Sequence, residues 1–270
     1  MRMVACDLDG TIVRPDGSVS ARTVAALAAC ERARVRVVFV TGRPPRWMAP
    51  VADATGHRGV AVCANGAVVY DMTSERILAT RALPRKGVLD VAAALRRAVP
   101  GGAFAVETLA GFRREPAYVS RRGLEKALVG PLRALLADDP VVVKLLYRRQ
   151  DGVADAMLAA AREALDGLAE PVHSDGAGSL LEISAPGVSK ASTLAEIATR
   201  GGVGREDVVA FGDMPNDVPM LRWAGLGYAV ADGHREALAA ADRVAPPCAE
   251  DGVARVLEQL LARQAAGAHP

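Results

Sequence analysis

Short apolar runs rich in β-branched residues recur along this chain, and most are followed by a segment of helical period. Met3-Val4-Ala5-Cys6, Val35–Val40 and Val60–Ala64 read as buried strands. Between them, Ser20 caps a helix running to about Ala33, with Val24, Leu27 and Ala28 on one face. Pro44-Pro45 suits the start of a second helix and Gly56 its end. Ala67–Asp71 and Arg76–Thr80 read as a hairpin. The alternation returns near the end of the chain: helix Ser189–Arg200, strand Val208–Phe211, helix Val218–Ala224, strand Leu226–Val230, then helices His234–Ala241 and Gly252–Ala262. The small, polar tail Gln264–Pro270 is expected to fray. Strands apolar on both faces, alternating with helices, imply a mostly parallel sheet covered on both sides.

The middle of the chain follows another pattern. Gly87–Val99 and Val153–Leu168 are helical by period, while Phe104–Thr108, Val141–Tyr147 and Leu180–Ser184 look like strands. Gly101-Gly102, Ala110-Gly111 and Asp138-Asp139-Pro140 punctuate them. The expectation is an α/β protein: a Rossmann-like, doubly wound core formed by residues 1–82 and 185–270, interrupted by an α+β insert over 83–184.

Composition excludes several classes. Lys+Arg 33 against Asp+Glu 31 gives a net charge of +2, without the basic excess expected of a nucleic-acid binder. No run of 18 apolar residues marks a transmembrane helix, and the apolar start is too short for a signal peptide. Cys6, Cys30, Cys63 and Cys248 form no CxxC and read as free, buried thiols. The expected setting is cytoplasmic. His57, His173, His234 and His269 show no metal-ligand spacing. Only four of the 33 basic residues are Lys (Lys86, Lys126, Lys144 and Lys190), so each merits attention.

Ligands of open α/β sheets bind beyond the carboxyl ends of the strands, and the chemically useful residues fall there. The first strand runs into Asp7-Leu8-Asp9-Gly10-Thr11. Extended backbone turns Asp7 and Asp9 the same way, and two carboxylates at 4 Å repel by about 4 kcal/mol at an effective dielectric near 20. A divalent cation compensates such a pair, and oxygen-only ligation points to Mg²⁺. The second strand ends in Thr41-Gly42-Arg43: a hydroxyl, an approachable N–H and a guanidinium at a helix start, a phosphate cradle by type. Arg43 either joins that cradle or pairs with a carboxylate. Lys190 opens the first helix after the insert, where a point charge suits a phosphate or a nucleophilic carboxylate. Strand Val208–Phe211 leads into Gly212-Asp213-Met214-Pro215-Asn216-Asp217. Asn65-Gly66 is most simply a turn.

DLDGT (Asp7–Thr11), TGR (Thr41–Arg43), the Lys of GVSK (Gly187–Lys190) and GDMPND (Gly212–Asp217), in this order, resemble the haloacid dehalogenase (HAD) superfamily. Within it the chain looks most like the Cof-type phosphatases with a type-IIB cap, through Cys63–Ala67 and through Leu181-Glu182-Ile183 followed by Gly187–Lys190. The resemblance implies a Mg²⁺-dependent phosphatase in which Asp7 attacks phosphorus and becomes an aspartyl-phosphate, while Asp9 protonates the leaving oxygen and then activates water. It implies Mg²⁺ held by Asp7, the backbone carbonyl of Asp9 and Asp213, with Asp217 ligating directly or bracing the others. Thr41, Gly42, Lys190 and Asn216 would hold the transferring phosphoryl oxygens, with Arg43 beside them. The insert would be a cap that selects the leaving group, with Arg113, Arg114 and Lys144 as candidate contacts or simple surface charges.

The implied substrate is a small phosphorylated metabolite such as a sugar phosphate. Nucleic acid and membrane are not expected partners, and the expected assembly is a monomer or homodimer. A phosphomannomutase-like phosphomutase and a non-catalytic binding member of the superfamily are the alternatives. The run Gly212–Leu221 favours the phosphatase branch, and the four intact motifs disfavour the non-catalytic one.

Overall fold

Strands buried on both faces need helices on both sides of their sheet. The computed structural model shows this arrangement, and it describes residues 1–119, 126–174 and 179–267. In chain order the first part gives β1 (Met3–Cys6), α1 (Ala21–Arg32), β2 (Arg36–Val40), α2 (Ala49–Thr55), β3 (Val60–Cys63), β4 (Val68–Asp71) and β5 (Arg76–Thr80). The middle gives α3 (Arg85–Ala98), β6 (Ala103–Thr108), β7 (Gly111–Arg114), β8 (Leu128–Val129), α4 (Leu132–Leu135), β9 (Val142–Arg148), α5 (Ala154–Ala164), β10 (Glu170–Val172) and β11 (Leu180–Ser184). The last part gives α6 (Lys190–Arg200), β12 (Val208–Gly212), α7 (Val218–Trp223), β13 (Leu226–Val230), α8 (Arg235–Ala240), β14 (Arg243–Ala245) and α9 (Gly252–Gly267).

The chain divides into two compact units, Met1–Ala79 with Lys190–Pro270, and Thr80–Ser189. The first carries a sheet of order β14-β13-β12-β1-β2-β3-β4-β5 among the described residues. Its pairs from β14 through β3 are parallel, and β4 turns back antiparallel on β3. The chain leaves β1 to one side for β2 and reaches β12 on the other, so the strand order reverses between β1 and β12. Such a switch point leaves a crevice at the strands' carboxyl ends. One buried cluster joins Met3, Ala5, Val38, Val40, Val208 and Ala210 of the strands to Leu194, Met220 and Leu221 of the helices.

The second unit is built differently. Its sheet runs β10-β11-β9-β6-β7-β8, antiparallel at β10–β11, β11–β9, β9–β6 and β6–β7, and parallel at β7–β8. The Tyr147 hydroxyl accepts from the Gly102 N–H at 2.8 Å and donates to the Val99 carbonyl, tying the end of α3 to β9. A Cβ at Gly102 would lie 2.3 Å from the Tyr147 ring, so the contact needs glycine. The architecture is therefore an α/β Rossmann-like core sheet with a separate inserted α+β sheet, as the alternation predicts.

Three details depart from the sequence reading. Pro44-Pro45 opens a single 3-10 turn (Pro45–Trp47), and α2 starts only at Ala49. Gly56 does end α2, in the left-handed conformation at φ 68°. The tail does not fray from Gln264, because α9 continues to Gly267. The short strands β7, β8, β10 and β14 have two to four residues each, too few to show an alternation.

Candidate active site

The parallel register of β1 with β12 brings Asp7 and Asp213 together. Cys6 lies opposite Phe211, and the Asp7 N–H donates to the Phe211 carbonyl at 3.0 Å. One oxygen from each of Asp7, Asp213 and Asp217 can be chosen so that all lie within 4.8 Å of one another. All three residues are buried, Asp217 completely. The Thr11 hydroxyl donates to Asp213 Oδ1 at 2.9 Å and lies 3.4 Å from Asp7 Oδ2. Gly10 has φ +85°, and a Cβ there would meet Asp213 Oδ2 at 2.3 Å. Only glycine both makes that turn and lets the second carboxylate approach.

Lys190, at the start of α6, is 1% exposed and points into this cluster. Its Nζ donates to Asp7 Oδ1 at 2.6 Å and to Asp217 Oδ1 at 2.7 Å. Burial works against its charge, but Asp217 and Asp7 together outweigh burial and push the ammonium pKa up. Asp217 Oδ2 accepts from the Asp213 and Met214 N–H groups, both at 3.1 Å. Both Asp217 oxygens are thus engaged.

One lysine does not balance three buried carboxylates. Burial, with Asp217 and Asp9 nearby, pushes Asp7 up to about 7 against the pull of Lys190. Asp213 is pushed well above the usual carboxylate range by burial first, then by Asp7 and Asp217. A cluster in which acids take up protons at neutral pH is short of positive charge. Its donors are oxygen alone, which suits a hard cation such as Mg²⁺. The acid cluster therefore fits the divalent ion that the motifs imply.

Asp9 faces a different partner. Arg43 grips it with two hydrogen bonds, Nε to Oδ2 at 2.8 Å and a terminal NH₂ to Oδ1 at 2.6 Å. Of the two sequence readings of Arg43, this places it on a carboxylate. Thr41 is buried at the end of β2, and its hydroxyl accepts from the Arg43 N–H at 3.1 Å. Gly42 lies between them in the same loop. Asn216 is buried in the 3-10 turn Pro215–Asp217, and its Nδ2 donates to Asn65 Oδ1 at 3.2 Å. The structure thus draws Asp7, Asp213, Asp217 and Lys190 into one cluster, pairs Asp9 with Arg43, and links Asn216 to Asn65.

The insert's candidates take other positions. Arg113 bonds Asp138 and the Leu135 carbonyl, and Arg114 bonds the carbonyls of Glu115, Pro116 and Tyr118. Lys144 is not a surface charge: it is buried and donates to Glu182 Oε1 at 3.1 Å. None of the four cysteines forms a disulfide, and all are buried. His57 pairs with Glu31, His173 with Asp155, and His234 accepts at the start of α8; His269 lies outside the described residues. Sequence reasoning gave Thr11 and Thr193 no task, although Thr11 stood inside its most specific motif. It read Asn65-Gly66 most simply as a turn, although one at a strand end near the site, and gave Asn65 no partner.

Three carboxylates around one lysine at the switch point of a doubly wound sheet point to a hydrolase of phosphatase type, and sequence comparison identifies the family. The haloacid dehalogenase-like hydrolase profile matches residues 4–257, so the chain belongs to that family. It is 28% identical to a phosphoglycolate phosphatase of Methanothermobacter thermautotrophicus over 97% of this chain and 99% of that one. It is 27% identical to the 5-amino-6-(5-phospho-D-ribitylamino)uracil phosphatase YitU of Bacillus subtilis, over 95% and 96% of the two chains. Among solved structures, the subclass IIB sugar phosphatase BT4131 superposes with a TM-score of 0.81 at 20% identity, covering 96% of this chain and 99% of the other. A haloacid dehalogenase-like hydrolase from B. subtilis gives 0.82 at 22% identity, covering 96% and 100%. The structural likenesses bear on the fold, whose inserted sheet matches the IIB cap architecture. No helix among the described residues is long and apolar enough to cross a membrane.

Proposed function

We propose that this protein is a Mg²⁺-dependent phosphomonoesterase of the Cof type, acting on small phosphorylated metabolites through an aspartyl-phosphate on Asp7. The observation that carries this reading is the Lys190 bridge: one buried ammonium on both Asp7 and Asp217, with Asp213 beside them and a net deficit of positive charge. A structural role alone would not favour three buried acids around one lysine, since buried like charges cost stability.

Mg²⁺ would be held by Asp7, Asp213 and the backbone carbonyl of Asp9. Asp217 would brace the set, because both its oxygens are already bonded. When bound, the ion would offset carboxylate and phosphoryl charge in a site where catalysis is mainly positioning and neutralisation. The Asp7 carboxylate attacks phosphorus and the ester P–O bond breaks, with Asp9, protonated once one of its oxygens leaves the Arg43 fork, giving that proton to the leaving oxygen. Asp9 then takes a proton from the water that hydrolyses the aspartyl-phosphate. Splitting one hydrolysis into two steps lowers each barrier. Lys190 favours the ionised form of Asp7 and holds it in place. Thr41, the Gly42 N–H and the Asn216 amide present donors to the phosphoryl oxygens, and loss of one such donor typically costs roughly 10²–10³ in rate. Residues 1–82 and 185–270 would form the catalytic core and 83–184 the cap that selects the leaving group.

The relatives named above act on chemically different monoesters, which supports the class of substrate without choosing one. The test is phosphate release across a panel of sugar phosphates, phosphoglycolate and nucleotide-derived monoesters, with Mg²⁺ or with chelator, for wild type and Asp7→Asn. Release that needs Mg²⁺ and vanishes in Asp7→Asn is expected. Isomerisation of a sugar phosphate without net release would instead mark a phosphomutase.

A further inference from the structure

Just past β3 the chain makes a turn unlike any other among the described residues of the core. Ala64, Asn65 and Gly66 follow one another with positive φ of 49°, 56° and 107°, and all three are buried. Two of them carry a Cβ, for which this conformation is unfavourable. Several contacts tie the turn to other segments of the core. The Ala64 N–H donates to the Arg43 carbonyl at 2.9 Å, and the Asn65 N–H donates to the Thr41 carbonyl at 3.0 Å. The Thr193 hydroxyl donates to the Gly66 carbonyl at 2.8 Å. Asn65 Oδ1 accepts from Asn216 Nδ2 at 3.2 Å.

Those contacts reach three separate parts of the site. Thr41 and Arg43 are the loop after β2. Thr193 lies three positions after Lys190, on the same side of the first turn of α6. Asn216 belongs to the loop after β12. The Asn216 amide has two N–H groups, of which one is given to Asn65. Its Oδ1 is buried without a partner, so no bond on that side fixes the amide's orientation.

We propose that Asn65 is a positioning residue for phosphoryl transfer. Its side-chain oxygen holds the Asn216 carboxamide so that the second N–H is presented to a phosphoryl oxygen. The turn around it sets the spacing between the Thr41 loop and the Lys190 helix. This assignment rests on the phosphatase reading for its function, but its geometric part stands apart from turnover.

The variant that isolates the side chain is Asn65→Gly, because glycine accepts the left-handed backbone while the accepting oxygen disappears. Together with Asn216→Ala and the double variant it forms a cycle. With Mg²⁺ and the best phosphomonoester of the panel, Asn65→Gly should lower kcat about tenfold with KM within about twofold of wild type. In the Asn216→Ala background the same change should alter kcat less than twofold. Multiplying effects, or an Asn65→Gly enzyme with wild-type kcat, would overturn the proposal. Amide NMR gives a second readout that needs no activity. The Asn216 carboxamide, assigned by its loss in Asn216→Ala, should show one proton slow to exchange in wild type and none in Asn65→Gly. Two fast-exchanging protons in wild type would overturn the proposal even if Asn65→Gly does not fold. Failure of wild type to release phosphate from any ester would count against the phosphatase reading, while the amide signals would still decide whether Asn65 holds Asn216.

Discussion

Both units of the molecule bury charge, but they do so differently. In the core, Asp7 and Asp217 share Lys190, with Asp213 beside them, in loops just past the ends of β1 and β12. In the insert, Lys144 lies in the middle of β9, opposite Glu107 of β6 in register and bonded to Glu182 of β11. The insert's charges sit within strands whose backbone groups are paired to one another. The core's carboxylates gather where backbone N–H groups are available, as at Asp217, and where Gly10 leaves no side chain in the way. Buried charge alone therefore does not mark a site. Buried acids gathered in excess at strand ends, where burial first and neighbouring carboxylates second push carboxyl pKa values up, do.

The largest effect that would break this comparison is at Asp7. Asp7→Asn should lower kcat by roughly 10³-fold or more, because the proposed nucleophile is gone. It also removes one of three crowded negative charges. The metal-free variant should therefore melt no lower than metal-free wild type in a thermal scan. A variant that is inactive because it is unfolded would show that Asp7 is a structural member of an ordinary buried network, like the insert's.

The two lysines come next. Removing one partner of a buried charge group typically costs about 3–5 kcal/mol. Lys190→Met and Lys144→Met should both lower the denaturant midpoint. The difference lies in rescue: Mg²⁺ should restore part of the loss in Lys190→Met, where a cation can replace the missing charge among the acids. It should restore none in Lys144→Met. Equal behaviour of the two variants in titrations with Mg²⁺ would remove the distinction drawn between the units.

A third effect is smaller and depends on pH. Asp7 has its folded-state pKa raised from 3.8 to about 7, and Asp213 moves the same way. Between those values the folded, metal-free protein binds more protons than the unfolded chain. Its stability falls as pH rises through that window. A cation competes with those protons, so the rise in melting temperature produced by Mg²⁺ should grow from about pH 4 to at least pH 7. A Mg²⁺ shift that is flat over this range would mean that the acids are not where the ion binds.

The same contrast explains what could be read from sequence. The core was legible because its strands are unbroken apolar runs and its acids follow them directly, as in Cys6-Asp7 and Gly212-Asp213. Periodicity places the strand, and topology places the residue after it. The order of motifs then carried Lys190 into the same cluster across most of the chain. The insert's Lys144 and Glu182 gave no such signal, because a charged residue inside a strand usually faces solvent, and its burial depends on packing that sequence does not show. Asn65, placed near the site by its strand end, was given no role for a related reason. An Asn-Gly pair reads as a turn whatever its side chain bonds, and its partner Asn216 lies 151 positions away. The start of α2 was misplaced because a proline pair fits a 3-10 turn as well as the first turn of an α-helix.

Arg43 gives the smallest and most discriminating effect, because it stands between the two kinds of charge. It is part of the core site, yet its partner Asp9 is half-exposed, and the pair alone carries no excess of sign. The planar guanidinium bonds both Asp9 oxygens, which a lysine cannot do. Arg43→Lys keeps the charge and removes the fork. If Arg43 serves by holding Asp9 for proton transfer, kcat should fall about tenfold while KM changes less than about twofold. If it holds the phosphoryl group instead, KM should rise and inorganic phosphate should become a weaker competitive inhibitor, with kcat less affected. The present geometry, with both hydrogen bonds on Asp9, favours the first outcome. Steady-state kinetics of this one variant on a single ester, with phosphate inhibition, separates the two.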